Sequence, residues 1–187
     1  MRIISGNFKK KKILTPKDNK TRPLKDLTKE SIFNIIQHSN KFKVEINNSN
    51  ILDLFSGVGS FGIECLSRNA SFVTFVENYK EVLTILKKNI TSLNEVTNYS
   101  VIEKDVFNEL KFSILNIKFD IIFMDPPYKE KNLNKLLEKI FNSNILNKNG
   151  IIIIHRHKKE EDNFPKIFNV IEEKKYGISK IIFGNYL

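Results

Sequence analysis

Cysteine occurs once, at Cys65, so the chain can form neither an internal disulfide nor a cysteine-based zinc cluster. The cytoplasm is the natural expectation for its compartment, and Cys65 reads as a small core residue of a helix. No apolar run approaches the roughly 20 residues that a membrane span requires. Met1-Arg2-Ile3 leads into no signal-peptide pattern. Internal repeats are lacking, and Lys9 to Lys12 is the single low-complexity stretch. Acids are the scarcer charge, 21 against 31 Lys and Arg, for a net +10. The first 30 residues hold ten Lys and Arg against three acids, and the remainder 21 against 18. A basic terminus on a near-neutral domain implies a polyanionic partner. Glycine and proline are also sparse, seven and five in 187 residues. Three of the glycines crowd into 57–62 and two prolines adjoin at 126–127, and these two clusters carry the chemistry.

The second cluster organises the chain. Ile121, Ile122, Phe123 and Met124 have no helical spacing and read as a strand buried on both faces. Asp125-Pro126-Pro127 stops it, because proline cannot donate to a sheet ladder and restricts the residue before it. An acid, two stiff prolines and Tyr128 therefore stand at the carboxyl end of a central strand, where open α/β sheets bind ligands. The group they suit is planar and bears an NH₂. Asp125 and the proline carbonyls accept from it, and Tyr128 stacks on its face. Average residue usage yields this tetrapeptide by chance in roughly one chain of this length in a thousand.

Along the chain, 2–8 and 12–15 predict two short strands around Lys9, Lys10, Lys11 and Lys12, a hairpin that should lie on the main domain. A polar loop then carries Lys17, Lys20 and Arg22; Pro23 extends the backbone at Arg22, whose guanidinium suits phosphate. Asp26 is the expected cap of a helix over 27–38, with Leu27, Ile32, Phe33, Ile35 and Ile36 facing in. Residues 39–50 read as a polar linker.

A strand over 51–55 ends in Ser56-Gly-Val-Gly-Ser-Phe-Gly62, followed by a helix to about 68. Gly57, Gly59 and Gly62 fit Gly-x-Gly-x-x-Gly between strand and helix, the placement that gives the pattern meaning. Glu77, closing the strand over 71–77, stands about 20 residues on, where an acid grips a ribose diol. Asp105, after a third strand over 100–103, is placed to accept from an adenine N–H. Helices are expected over 79–93 and 133–141, and a buried strand over 150–155. The stretches 168–173 and 180–183 predict strands joined at Tyr176-Gly177, one of them antiparallel at the sheet edge, because so short a link cannot join parallel neighbours. His155 and His157 lack a third ligand, and no metal is expected.

A nicotinamide dehydrogenase would use the glycine loop and leave Asp-Pro-Pro-Tyr idle, whereas a methyltransferase uses both. Asp53, four residues before Gly57, can engage the cationic amine of a methionine moiety. With Met1-Arg-Ile-Ile-Ser-Gly6, Thr21-Arg-Pro23, Ser31-Ile-Phe-Asn34, Leu52 to Glu64, Asp125 to Tyr128 and Tyr176-Gly177, the chain resembles the class I S-adenosylmethionine-dependent methyltransferases. Within them it is similar to the bacterial small-subunit ribosomal RNA (guanine-N2)-methyltransferases.

The resemblance implies a Rossmann-like α/β fold with a seven-stranded, mainly parallel sheet, an antiparallel last strand and a basic N-terminal hairpin near the catalytic face. It implies residues 1–25 as RNA contact and 26–187 as the methyltransferase domain. The cofactor would be S-adenosyl-L-methionine, held by Asp53, Phe55, Gly57, Gly59, Glu77 and Asp105. Asp125, Pro126, Pro127 and Tyr128 would be catalytic, and Lys9 to Lys12 with Arg22 would hold RNA. The partner would be small-subunit rRNA or an assembling ribosomal particle, met by a monomer. His155-Arg156-His157 departs from the family, which more often has an acid there. A DNA or protein-glutamine amino-methyltransferase, or a non-catalytic RNA-binding factor on the same fold, stays open on the sequence.

Overall fold

A computed structural model describes residues 1–16 and 24–187; Lys17, Lys20 and Arg22 lie outside the described residues. In chain order the elements are α1 (Asp26–His38), β1 (Asn50–Leu54), α2 (Ser60–Ser67), β2 (Phe72–Val76), α3 (Lys80–Thr91), β3 (Tyr99–Ile102), β4 (Phe119–Met124), α4 (Leu133–Asn142), β5 (Leu146–His157), β6 (Phe168–Tyr176) and β7 (Ser179–Tyr186). They build one seven-stranded sheet in the order β3-β2-β1-β4-β5-β7-β6. The first five of these run parallel, and β7 runs antiparallel to both its neighbours.

The apolar runs without helical spacing are strands with both faces covered. Successive residues alternate between two cores. Ile51, Phe123, Ile153 and Ile181 pack with α1, α2 and α3, while Leu52, Ile122, Ile154 and Ile182 pack with α4. Each such side chain contributes roughly 1.5–3 kcal/mol by burial. Crossovers leave β1 towards β2 on one side while β4 lies on the other, so strand order reverses between β1 and β4. At that reversal the carboxyl ends of a parallel sheet open a crevice.

Four details depart from the sequence expectation. The antiparallel strand β7 lies one place in from the edge, and β6 forms the edge. Ile181, Ile182 and Phe183 of β7 are wholly buried and demand cover on both faces, whereas Glu173, Lys174 and Lys175 of β6 are exposed and blunt an edge. Lys25, not Asp26, occupies the N-cap position of α1, and no side chain among the described residues caps it; Asp26 falls in the first turn, where an acid favours the helix dipole. Leu27 is 71% exposed, because Thr28, Lys29 and Ile32 take the inward face.

The N-terminal arm pairs through a single antiparallel bridge, Arg2 with Lys12, rather than through two strands. It does lie on the main domain, with Ile3 and Ile13 buried in the core. Glu64 of α2 fixes it, accepting from the Ile4 and Ser5 amides at 2.8 and 2.9 Å.

Candidate functional site

Three backbone contacts shape the crevice at the β1–β4 reversal. Asp53 stands beside Phe123 and Leu54 beside Met124, and the Asp125 amide donates to the Leu54 carbonyl at 3.3 Å. The two strands thus end level. The chain turns sharply after β1, with Phe55 at φ +60, Gly57 at φ +55 and Gly59 at φ +85. A left-handed phenylalanine is a strained residue that the surroundings must hold. A Cβ on Gly59 would meet Leu86 of α3 at 2.5 Å, and one on Gly62 would meet Phe75 of β2 at 2.3 Å, so Gly59 lets the turn approach α3 and Gly62 lets α2 close on the sheet. Gly57 differs: a Cβ there would meet nothing within 4 Å, leaving its backbone open to a ligand.

A cavity of about 390 Å³ fills the crevice, walled on one side by Asp53, Phe55, Gly57 and Glu77 and on the other by Asp125, Pro126, Pro127 and Tyr128. Glu77 bridges the first wall. One of its oxygens accepts from the Gly57 amide at 2.8 Å, the other from the Asn78 and Tyr79 amides at 2.9 Å each. Asp53 is wholly buried. Its Oδ2 accepts from the Gly62 amide at 3.0 Å, while Oδ1 has no partner among the described residues. Burial pushes its carboxyl well above the ordinary range, the nearby Asp125 and Glu77 charges push the same way, and the Gly62 N–H opposes them. An orphaned carboxylate oxygen in a ligand-sized cavity is suited to a cation.

The second wall is braced from β5. His155 Nδ1 lies 2.8 Å from Asp125 Oδ1, and its Nε2 lies 2.9 Å from Ser179 Oγ. Arg156, 2% exposed, donates to the carbonyls of Pro127 at 3.0 Å and Glu130 at 2.9 Å, and its Nε donates to Asp162 at 2.8 Å. His157 meets the Tyr128 ring edge-on, with centroids 5.2 Å apart. Three successive β5 residues therefore hold the acid, the turn and the ring. The sequence flagged this tripeptide but gave it no role, because the contacts depend on register between β4 and β5.

Among the expected site residues, Asp53, Phe55, Gly57, Glu77 and the Asp-Pro-Pro-Tyr segment share the cavity, whereas Gly59 stands behind the wall and shapes the turn. Asp105 is also set back. Its Oδ1 accepts from the Phe107 and Asn108 amides and its Oδ2 from Asn78 Nδ2 at 3.0 Å, so it orients Asn78, which lines the cavity. Leu24, Asn78 and Tyr79 are wall residues the sequence reading missed; for Asn78 and Tyr79 the signal was their place just after Glu77.

Lys9, Lys10 and Lys12 are exposed, and Lys11 donates to the Ser92 carbonyl after α3. With the Asn7 amide donating to the Ser67 carbonyl at 2.8 Å, this turn sits at the C-terminal ends of α2 and α3. That is about 12 Å, the length of the eight-residue α2, from the glycine turn. Among the described residues no cluster of three His, Cys, Asp or Glu is arranged to hold a metal ion.

Residues 1–185 match the family model described as Conserved hypothetical protein 95. The ribosomal RNA small subunit methyltransferase D of Buchnera aphidicola (subsp. Acyrthosiphon pisum) is 36% identical over 172 residues, 92% of this chain and 86% of that protein. The chain belongs to this family. The enzyme of the same name from Haemophilus influenzae is 32% identical over 179 residues, 95% of this chain and 90% of its own. A crystal structure of a candidate methylase from Haemophilus influenzae superposes with a TM-score of 0.75 at 30% identity, covering 100% of this chain and 98% of that one. A candidate methyltransferase of Escherichia coli reaches a TM-score of 0.79 at 25% identity, covering 100% and 97%.

The family fixes the reaction class: a methyltransferase with S-adenosylmethionine as cofactor. The residues present fit that group. Asp53 Oδ1 has no partner among the described residues and suits a cation, Gly57 leaves its backbone open, and Glu77 keeps acceptor capacity at the strand end.

Proposed function

We propose that the protein methylates the exocyclic N2 amine of a guanine in small-subunit ribosomal RNA. One observation carries this reading: the cofactor wall and the Asp-Pro-Pro-Tyr wall enclose the same cavity. Relatives named for small-subunit rRNA support the substrate class. When bound, S-adenosylmethionine supplies a methyl group made electrophilic by its sulfonium.

The chain's own residues do the rest. Asp53 takes the ammonium of the methionine part, Glu77 the ribose, and the Gly57 backbone lies along the cofactor. The target base leaves its stack, and Tyr128 holds it by its face. With the Pro127 carbonyl occupied by Arg156, Asp125 and the Pro126 carbonyl accept from the amine. That aims the nitrogen lone pair at the cofactor side. Orientation of this kind is worth several kcal/mol of barrier. Exposed lysines of the N-terminal arm, together with Arg22, hold the phosphate backbone at a distance from the base.

The test is to incubate purified protein and cofactor with small-subunit particles and unmethylated rRNA, then digest and map methylated guanines by mass. The expected result is one new N2-methylguanosine, absent with Asp125→Ala. Methylation of another base or position, or none on either RNA, contradicts the reading.

A further inference from the structure

The tripeptide at the end of β5 has a use beyond bracing a turn. His155 is 5% exposed and both ring nitrogens are engaged, Nδ1 with Asp125 Oδ1 at 2.8 Å and Nε2 with Ser179 Oγ at 2.9 Å. A carboxylate can only accept, so Nδ1 carries the proton; in the neutral ring Nε2 then accepts from the serine hydroxyl. The order Ser179-His155-Asp125 is that of a hydrolase triad, but Ser179 is 5% exposed within β7 and is not a wall of the cavity, so no substrate reaches it. The chain of bonds instead points the other way, from the sheet interior to Asp125.

We infer that His155 is a positioning residue for methyl transfer. Its Nδ1–H occupies Asp125 Oδ1, and Ser179, diagonally placed on β7, locks the ring. Oδ2 is left as the acceptor for the substrate amine in the cavity that Asp125 lines. Without this bond the carboxylate swings about its side-chain torsions and presents its acceptor in the right direction only part of the time. The inference rests on the proposed role of Asp125.

Two variants and one spectrum test it. His155→Leu removes the donor; His155→Asn keeps an N–H near the place of Nδ1. A lost hydrogen bond to a charged group corresponds to about a ten- to hundredfold change. His155→Leu should lose that much in kcat on small-subunit particles, while KM for the particle and Kd for S-adenosylhomocysteine stay within about threefold. His155→Asn should recover most of the loss. In ¹⁵N-histidine spectra of the folded wild type, His155 should be protonated at Nδ1 and bare at Nε2, with the Nδ1 signal moving on Asp125→Asn.

His155→Leu with kcat within about threefold of wild type, or with KM and Kd rising well beyond threefold as kcat falls, overturns the inference. A ring bare at Nδ1 does so as well. Should His155→Leu fail to melt cooperatively, His155→Asn and the spectrum decide. An inactive wild type would instead count against the proposed substrate, and the ring's tautomer would still judge the inference.

Discussion

In the proposed reading, Asp53 is the residue on which cofactor affinity turns. Its carboxyl sits in the core with one oxygen bonded to the Gly62 amide and the other without a partner among the described residues. Burial first, then Asp125 and Glu77, raise its pKa well above the ordinary 3.8. For an acid raised in the folded state, stability is full below the unfolded value, near 3.8. It declines as pH climbs from there towards the folded value, because ionisation in the core is costly. A bound ammonium favours the ionised form, so binding expels a proton below the folded value and affinity falls as pH drops.

Asp53→Asn retains an acceptor for Gly62 and removes the buried charge. At neutral pH it should melt at or above the wild-type temperature without ligand, yet bind S-adenosylhomocysteine about tenfold or more weakly, the scale of one charge-assisted bond. Thermal scans with and without ligand check both halves. A variant that melts lower and binds as well as wild type contradicts the assignment.

At the scale of elements, α2 serves two masters. Its start, at Gly59 and Ser60, closes the cofactor turn, and its end clamps the arm. Glu64 is fully buried and accepts from Ile4, Ser5 and Arg68, with the buried Lys29 ammonium 3.4 Å away. Burial lowers the Lys29 pKa, and Glu64 opposes that. Lys29 also donates to the Arg2 carbonyl at 2.8 Å, which ties α1 to the same knot. Removing one partner leaves an uncompensated buried charge, so Glu64→Leu should lose about 3–5 kcal/mol in denaturant melts. Amides of residues 3–13 should lose hydrogen-exchange protection ahead of the sheet. A loss below about 1 kcal/mol would mean the arm is held by its apolar contacts, Ile3 and Ile13, alone.

What the sequence made legible follows the range of the forces involved. The strands ending at Leu54 and Met124 were readable because a doubly covered strand writes itself as a short apolar run. The glycine turn and Asp-Pro-Pro-Tyr were readable because each is local. The inward place of β7 was not, since it depends on which strand of a hairpin is the more apolar and so better buried. Nor were the bonds from His155 to Asp125 and from Arg156 to Pro127, which join residues some 30 positions apart through a register that no single strand encodes. Asp105 was expected to be a ligand by its position, and its bond to Asn78, a cavity wall residue, could not be read from that position.

Over the whole molecule, two distances govern the account. In the proposed reading cofactor and target base share one cavity, while the lysine turn stands a helix length away, at the far ends of α2 and α3. An RNA held by both must therefore lie along the helix face and send a single nucleotide over the top of the sheet, which suits a folded ribosomal RNA better than a free base.

The most direct test is a crystal structure with S-adenosylhomocysteine bound. A near-attack gap of about 3–3.5 Å plus one hydrogen-bond length and the transferred methyl puts the sulfur within roughly 8 Å of the Asp125 carboxylate. The account predicts the sulfur at that distance, facing Tyr128, with the ammonium on Asp53. A ligand seated elsewhere, or with its sulfur turned away from Asp125, would contradict it.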